Sequence, residues 1–422
     1  NNIFFEKTNF KVDYFKDKNK LINISGVYKI NNNSFQKFDF TNKLGSKLNK
    51  ISLNADFDDE INIPFINFRT KKKVVNINSN LQIEKKNILL NKLNIKDDKN
   101  NINIKNLFIQ NNKLVNFDNI SVKTFLNNDL NNEFKINFNK SIKISGSKYD
   151  ASNLTKLLGN KNNTTFLKNI NKEIFVDFRE VSTNVSEKIS NFSLIGIIEK
   201  GRFSKIVSKG EFEDGKYLDI SLKIDQTSKK KILEVYSDLP KPLLSNYKFF
   251  DGLSGGQLLI FSSYDDNNNN INLSIEKFKV KDTPGLVKLF SLADFGGMVD
   301  ALSGEGLSFE KLDMSMEKNN QVLNLKELYA IGPSISVLME GYVDTKTGLV
   351  SLRGTMVPAK TLNKFLSKLP IVGDILIPKE IGEGLFGISF KMKGMPGKIK
   401  ITVNPIKSLT PRFIQKALKR AK

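Results

Sequence analysis

The chain has 422 residues, 39% of them hydrophobic and 10% aromatic, enough to bury a core, and its formal charge is +22. It contains no cysteine, histidine or tryptophan, which excludes disulfides, thiol nucleophiles, histidine bases, Cys/His zinc sites and the usual catalytic triads. Lysine supplies nearly all the positive charge, with arginine only at Arg69, Arg179, Arg202, Arg353, Arg412 and Arg420, so the charge reads as a solvated lysine surface rather than a nucleic-acid reader built on bidentate arginine contacts.

From the N-terminus the dominant period is two. "INISGVYKI" (Ile22 to Ile30) opens a series of alternating strands that "INIPFINF" (Ile61 to Phe68), "INIKNLFI" (Ile102 to Ile109) and "FKINF" (Phe134 to Phe138) continue. "YDASNLTKLLG" predicts a short helix capped by Asp150 or Ser152, with Leu154, Leu157 and Leu158 on one face and Gly159 at its end. Alternation returns in "INLSIEKFKV" (Ile271 to Val280). "DTPGLVKLFSLADFGGMVDALSGEG" then predicts a helix with Thr283 as its cap and Pro284 at its first position, broken at Gly296-Gly297. "SISVLMEGYV" (Ser334 to Val343) and "GISFKMKG" (Gly387 to Gly394) are strands again. Between them "AKTLNKFLSKLP" spaces Leu362, Phe365, Leu366 and Leu369 helically until Pro370. "LTPRFIQKALKRAK" closes the chain as an amphipathic helix.

The pattern predicts a mostly β protein with a few short helices near its C-terminal end, whose apolar strand faces either form the core of a closed sandwich or line an open, curved sheet. Composition suggests three segments: an Asn/Lys-rich β segment over 1–148, a middle β segment over 149–250 opening with the short helix, and a glycine-richer β region over 251–422. No stretch reaches the roughly 18 apolar residues that span a bilayer. The chain starts at Asn1 without a signal-peptide pattern, which leads us to expect a fragment or processed product whose anchor lies outside it.

Chemistry-bearing motifs are scarce. "NADFDDEIN" gathers Asp56, Asp58, Asp59 and Glu60 but lacks the spacing and glycine of a calcium loop, and reads as a solvated turn. "DGLSGGQ" has no Lys-Ser/Thr after it and is not a phosphate loop, and "GEGLFG" runs into a strand rather than a helix. The expectation is therefore a non-catalytic protein without cofactor or metal, working through apolar surface. A continuous apolar track spares an acyl chain the cost of water, about 0.8 kcal/mol per CH₂.

Residues of about 245–415 carry a resemblance. "GGQLLI", "IEKFKVKDTPGLVKLFSLADFGGMVDALSGEGLSFEKLDMSM", "GPSISVLMEGYVDTKTGLVSLRGTMVPAKTLNKFLSKLPIVGDIL" and "GISFKMKGMPGKIKITVNPIKSLTPRF" follow in an order that resembles the AsmA-like proteins of Gram-negative bacteria. The likeness is to the C-terminal region of the YhdP-type members. It implies an elongated, curved or folded-over antiparallel β-sheet, incompletely closed and forming a lipid-accessible groove, held to the inner membrane by an N-terminal segment. It further implies a role in moving phospholipid across the periplasm to the outer membrane. Partners would be phospholipid, both membranes and envelope proteins, with no nucleic acid. Groove lining is expected from Ile271, Leu273, Ile275, Ile335, Val337, Met339, Ile388, Phe390 and Met392, as groove or as core. Leu286, Phe290, Phe365 and Leu366 would cap the end. Membrane contact is expected from Phe413, Ile414 and Leu418 with Lys416, Lys419 and Arg420. The competing expectation is a surface or adhesin-like β-body that binds a protein or glycan and uses its apolar faces only as core.

Overall fold

Alternating residues form strands because one pleated face can then shed water while the other keeps it. The computed structural model describes residues 2–15, 19–70, 73–154, 166–245, 250, 252–265, 269–292, 296–319, 321–358, 387–395 and 398–406. Strands account for 68% and helices for 8%, so the chain is mostly β as expected. It divides into two units, Asn1–Gly215 and Lys216–Lys422.

In the first unit β1 (Ile3–Tyr14), β2 (Lys20–Ile30), β3 (Gln36–Leu44) and β4 (Asn49–Phe57) form an antiparallel meander. β5 (Asn62–Ile63) and β6 (Phe68–Arg69) pair only with each other, and β7 (Val75–Glu84) resumes the sheet beside β4. Here the structure corrects an expectation. "INIPFINF" is no single strand, because Pro64 begins a 3₁₀ turn through Ile66 and Asn67 adopts a left-handed φ of 46° that reverses the chain. β8 (Asn87–Lys96), β9 (Asn101–Gln110), β10 (Lys113–Asn116), β11 (Asn119–Leu126), β12 (Asp129–Phe138) and β13 (Ile142–Asp150) continue antiparallel, with β9 bonded to both β10 and β11. β14 (Lys172–Ser182) lies parallel to β13, and β15 (Lys188–Glu199) and β16 (Arg202–Glu211) are antiparallel again. A parallel pair needs a long crossover, and the stretch between Asp150 and Lys172 supplies it.

The asparagine content has a local cause. The two-residue turns Asn111-Asn112 and Asn127-Asn128 have positive φ at both positions. That is the geometry whose twist matches a hairpin, and asparagine tolerates it better than most residues.

The second unit begins with β17 (Tyr217–Ile224), β18 (Lys231–Ser237), the single-turn helix α1 (Lys241–Leu244), β19 (Leu253–Tyr264) and β20 (Asn269–Val280). Helices α2 (Pro284–Leu292) and α3 (Gly296–Ser303) follow, then β21 (Leu307–Asn319), β22 (Val322–Ile331), β23 (Ile335–Asp344), β24 (Val350–Pro358), β25 (Gly387–Gly394) and β26 (Lys400–Ile406). Each strand pairs antiparallel with the next. Among the described pairings neither unit joins its last strand to its first, so neither sheet closes. Of the glycines of "DGLSGGQ", Gly255 and Gly256 interrupt the β19 ladder at φ +66° and +92°, opposite Lys277 at +53° and without a register shift.

Pro284 starts α2 as expected, and the Thr283 carbonyl accepts the Val287 N–H at 3.0 Å. The Thr283 hydroxyl is buried without a hydrogen bond among the described residues, so the expected side-chain cap is not formed. The helix predicted from Asp150 is described only to Leu154. The helical positions Leu362, Phe365, Leu366 and Leu369, and the whole C-terminal membrane-contact set from Phe413 to Arg420, lie outside the described residues.

Candidate functional site

In the first unit the register sets one apolar residue of each strand beside the next. From β2 to β15 the row reads Ile24, Phe40, Leu53, Ser79, Leu93, Ile104, Ile120, Ile136, Ile144, Val176 and Leu194. All but Ser79 are apolar, and every apolar member is half-buried. Phe10 of β1 extends the row and is 65% exposed. Neighbouring strands cover the flanks of such side chains. A facing sheet about 10 Å away would cover their tops and leave them fully buried. Half-burial along the row therefore means that, among the described residues, no second sheet seals it, although Ile120, Ile136, Ile144, Val176 and Leu194 pack beside a buried cluster.

The next row shares that face and is more buried: Phe38, Ala55, Ile77, Ile95, Ile102, Val122 and Phe134. On the other side Ile51, Leu81, Leu90 and Leu107 are half-buried again. Around β13 and β14 the face is sealed locally, where Leu114, Phe117, Phe138, Ile142, Ile170 and Ile174 form a buried cluster. The opposite face carries Asp39, Asn54, Asn78, Asn94, Asn103, Ser121, Lys135, Ser145, Asp177 and Ser193 in one cross-strand row. That row is polar from end to end.

The hairpin β5–β6 closes one border of the apolar face. Asn132 Nδ2 donates to Ile66 O at 2.7 Å and to Thr124 Oγ1 at 2.9 Å, and the Tyr149 hydroxyl donates to Phe65 O at 2.9 Å. Asn67 Nδ2 donates to Asp150 Oδ2 at 2.9 Å, and Asn67 Oδ1 accepts Asn153 Nδ2 at the same distance. Thr124, Asn132, Ile66 and Phe68 are all buried there. Tyr149 stacks on Phe178 with centroids 5.3 Å apart, and burial followed by the Asp150 charge pushes its hydroxyl up to about 12.

The sequence placed the lining in the second unit, and the structure puts those residues in a covered core. Leu273, Ile275, Ile335, Met339, Ile388 and Phe390 are buried in one cluster, with Ile275 and Ile335 at 0% exposure. Val337 and Met392 pack against it half-buried, and Ile271 is half-buried at the strand start. α2 and α3 supply part of the cover through Leu289, Phe290 and Leu302, with Leu286 packed alongside. α2 also packs on β26. The polar face of this unit has an open cleft of about 550 Å³ beside Lys326, Glu340, Tyr342, Arg353 and Lys391. Its one carboxylate, Glu340, holds Arg353 Nη2 at 2.7 Å.

Several carboxylates in the described residues are engaged in structure. Asp58 accepts hydrogen bonds from Asn33, Ser34 and Gln36, as a turn should. Burial raises Glu180, but bonds from Lys148 and Lys188 outweigh it and hold the carboxyl below its usual value. Among the described residues no group of acidic side chains is placed to hold a metal ion, and no helix is long and apolar enough to cross a membrane.

Sequence reasoning missed the half-open rows of the first unit. The signal was present, since Ile102, Ile104, Ile120 and Ile136 alternate as cleanly as Leu273 and Ile275. Alternation marks which face is apolar but not whether anything lies on it. No family model, curated protein or solved structure matches the chain.

Proposed function

We propose that the chain is a non-catalytic lipid carrier whose first unit offers its apolar face to the acyl chains of phospholipid. The observation that carries this is the half-buried row from Ile24 to Leu194. At about 4.8 Å per strand step that row extends about 48 Å along the sheet. Acyl chains, each about half as long as a 30 Å hydrocarbon core, would run along the strands from border to border, so several fit side by side in that length. Transfer along such a face needs no reacting group, because each methylene keeps an apolar contact while it moves.

The resemblance of residues 245–415 to AsmA-like proteins points the same way, and with it to the periplasm and to traffic between the inner and outer membranes. Purified protein incubated with vesicles of phosphatidylethanolamine and phosphatidylglycerol, re-isolated and analysed by native mass spectrometry, should carry bound phospholipid. A chain that stays lipid-free after that incubation overturns the proposal.

A further inference from the structure

In a meander, alternate turns lie at the same border of the sheet, so the two borders of the apolar face in the first unit can be read separately. One border holds the turns at residues 45–48, 85–86, 111–112, 139–141 and 200–201, and the segment 166–171 that enters β14 beside the start of β13. Those turns contain Lys47, Lys85, Lys86, Lys140, Lys168 and Lys200 and no acidic residue. All six lysines are exposed, and none is in an ion pair among the described residues.

The opposite border is mixed in charge and closed. Its turns carry Asp58, Asp59 and Glu60 before the β5–β6 hairpin, Asp97 and Asp98 between β8 and β9, and Glu187 between β14 and β15, offset by Arg69 and Lys73 beside the hairpin and by Lys99. The hairpin itself is a fixed wall. Asn67 N–H bonds back to Pro64 O at 3.1 Å and Thr70 N–H to Ile61 O at 2.9 Å, which closes it on itself. Its carbonyls at Phe65 and Ile66 are held by Tyr149 and Asn132. Lifting it would take the Ile66 carbonyl from Asn132, which is at 0% exposure.

We infer that the lysine border is a row of headgroup subsites for amphiphiles with a phosphate-bearing headgroup: one such molecule sets its phosphate at Lys140, and another, four strand steps or about 19 Å away, lies across the face with its phosphate at Lys85 and Lys86. Its tail then runs over Leu90 and Ile104 toward the hairpin wall. Lysine suits this role as a point charge that demands no fixed headgroup geometry, and the other border, where carboxylates offset Arg69, Lys73 and Lys99, offers a phosphate no comparable excess of positive charge. The inference rests on the lipid-carrying proposal and adds the orientation and the charge class of the ligand.

Two phosphatidylglycerol probes test it on the full chain, one with a photoreactive group on the headgroup and one with it at the acyl terminus, with crosslinked peptides mapped by mass spectrometry. The headgroup probe should mark residues 85–86 and 139–141 and spare residues 97–100, while the tail probe marks the strand interiors. The triple variant K85E/K86E/K140E should weaken capture of phosphatidylglycerol at least about fivefold at low salt. Capture of diacylglycerol, which has no phosphate, should be unchanged, and K99E at the other border should alter neither. Inorganic phosphate at millimolar concentration should fail to displace the lipid probe; displacement would mean that the border is a free-phosphate site and overturn the headgroup assignment. Equal marking of both borders, or equal loss of both lipids in the triple variant, also overturns the orientation while leaving lipid carriage intact. Absence of capture with either probe and with diacylglycerol removes the carriage proposal and this inference together.

Discussion

Asn132 shows how much of the first unit hangs on single polar groups. It is fully buried, its amide donates to Ile66 O and Thr124 Oγ1, and its carbonyl accepts the Asp150 N–H at 2.9 Å. Removing the side chain leaves three buried groups without that partner, so Asn132→Ala should cost about 3 kcal/mol. Asn78→Ala, on the polar face, should stay within about 0.5 kcal/mol. Urea titrations of the two variants check the contrast. Glu180 makes a different forecast. Its folded carboxyl sits below the ordinary value of 4.5, with the lysine bonds outweighing burial. Its contribution is therefore complete above the unfolded value and is lost as pH falls through the lower folded one. Melting curves from pH 6 down to pH 3 should show that loss, and E180Q should flatten part of it; an unchanged acid limb in E180Q would contradict the assignment.

At the scale of elements, what separates the two apolar faces is cover. α2 and α3 seat Phe290, Leu289 and Leu302 on the second unit's strands. The first unit has no helix of that kind among its described residues. Phe290, at 1% exposure, should cost about 3–5 kcal/mol when cut to alanine, with a rise in dye binding as the core face opens. Gly256→Ala should also destabilise, by about 1–3 kcal/mol. A Cβ there meets Phe278 Cβ at 2.8 Å and the backbone is left-handed. Strands, their faces and the division of the helical stretch were legible in the sequence, because period and punctuation are local signals, although Gly296 and Gly297, expected as the break, instead open α3. The parallel β13–β14 pair and the folding of Asn62–Arg69 onto β12 and β13 were not. Both depend on contacts with partners that are remote in sequence, such as Asn67 with Asp150. The lysines of 85–86 and the aspartates of 97–98 were readable too, but only the meander shows that they belong to opposite borders.

For the molecule as a whole, the charge of +22 and the lack of reactive side chains fit one account. Lysine and asparagine keep the polar rows wet, and on the lipid-carrying proposal the apolar rows hold the ligand. Exposed lysines are screened by salt, so any attraction to anionic vesicles should fall as ionic strength rises past about 0.15 M, whereas lipid already on the apolar face should stay. The central claim is that the first unit's apolar face holds acyl chains and its polar face does not. A photo-crosslinker scan along β9 tests this most directly, placing the probe in turn at Ile102, Asn103, Ile104 and Lys105 in cells. The account predicts phospholipid adducts that alternate, strongest at Ile104, weaker at the more buried Ile102 and absent at Asn103 and Lys105. Adducts without alternation, or none at any of the four positions, would contradict it.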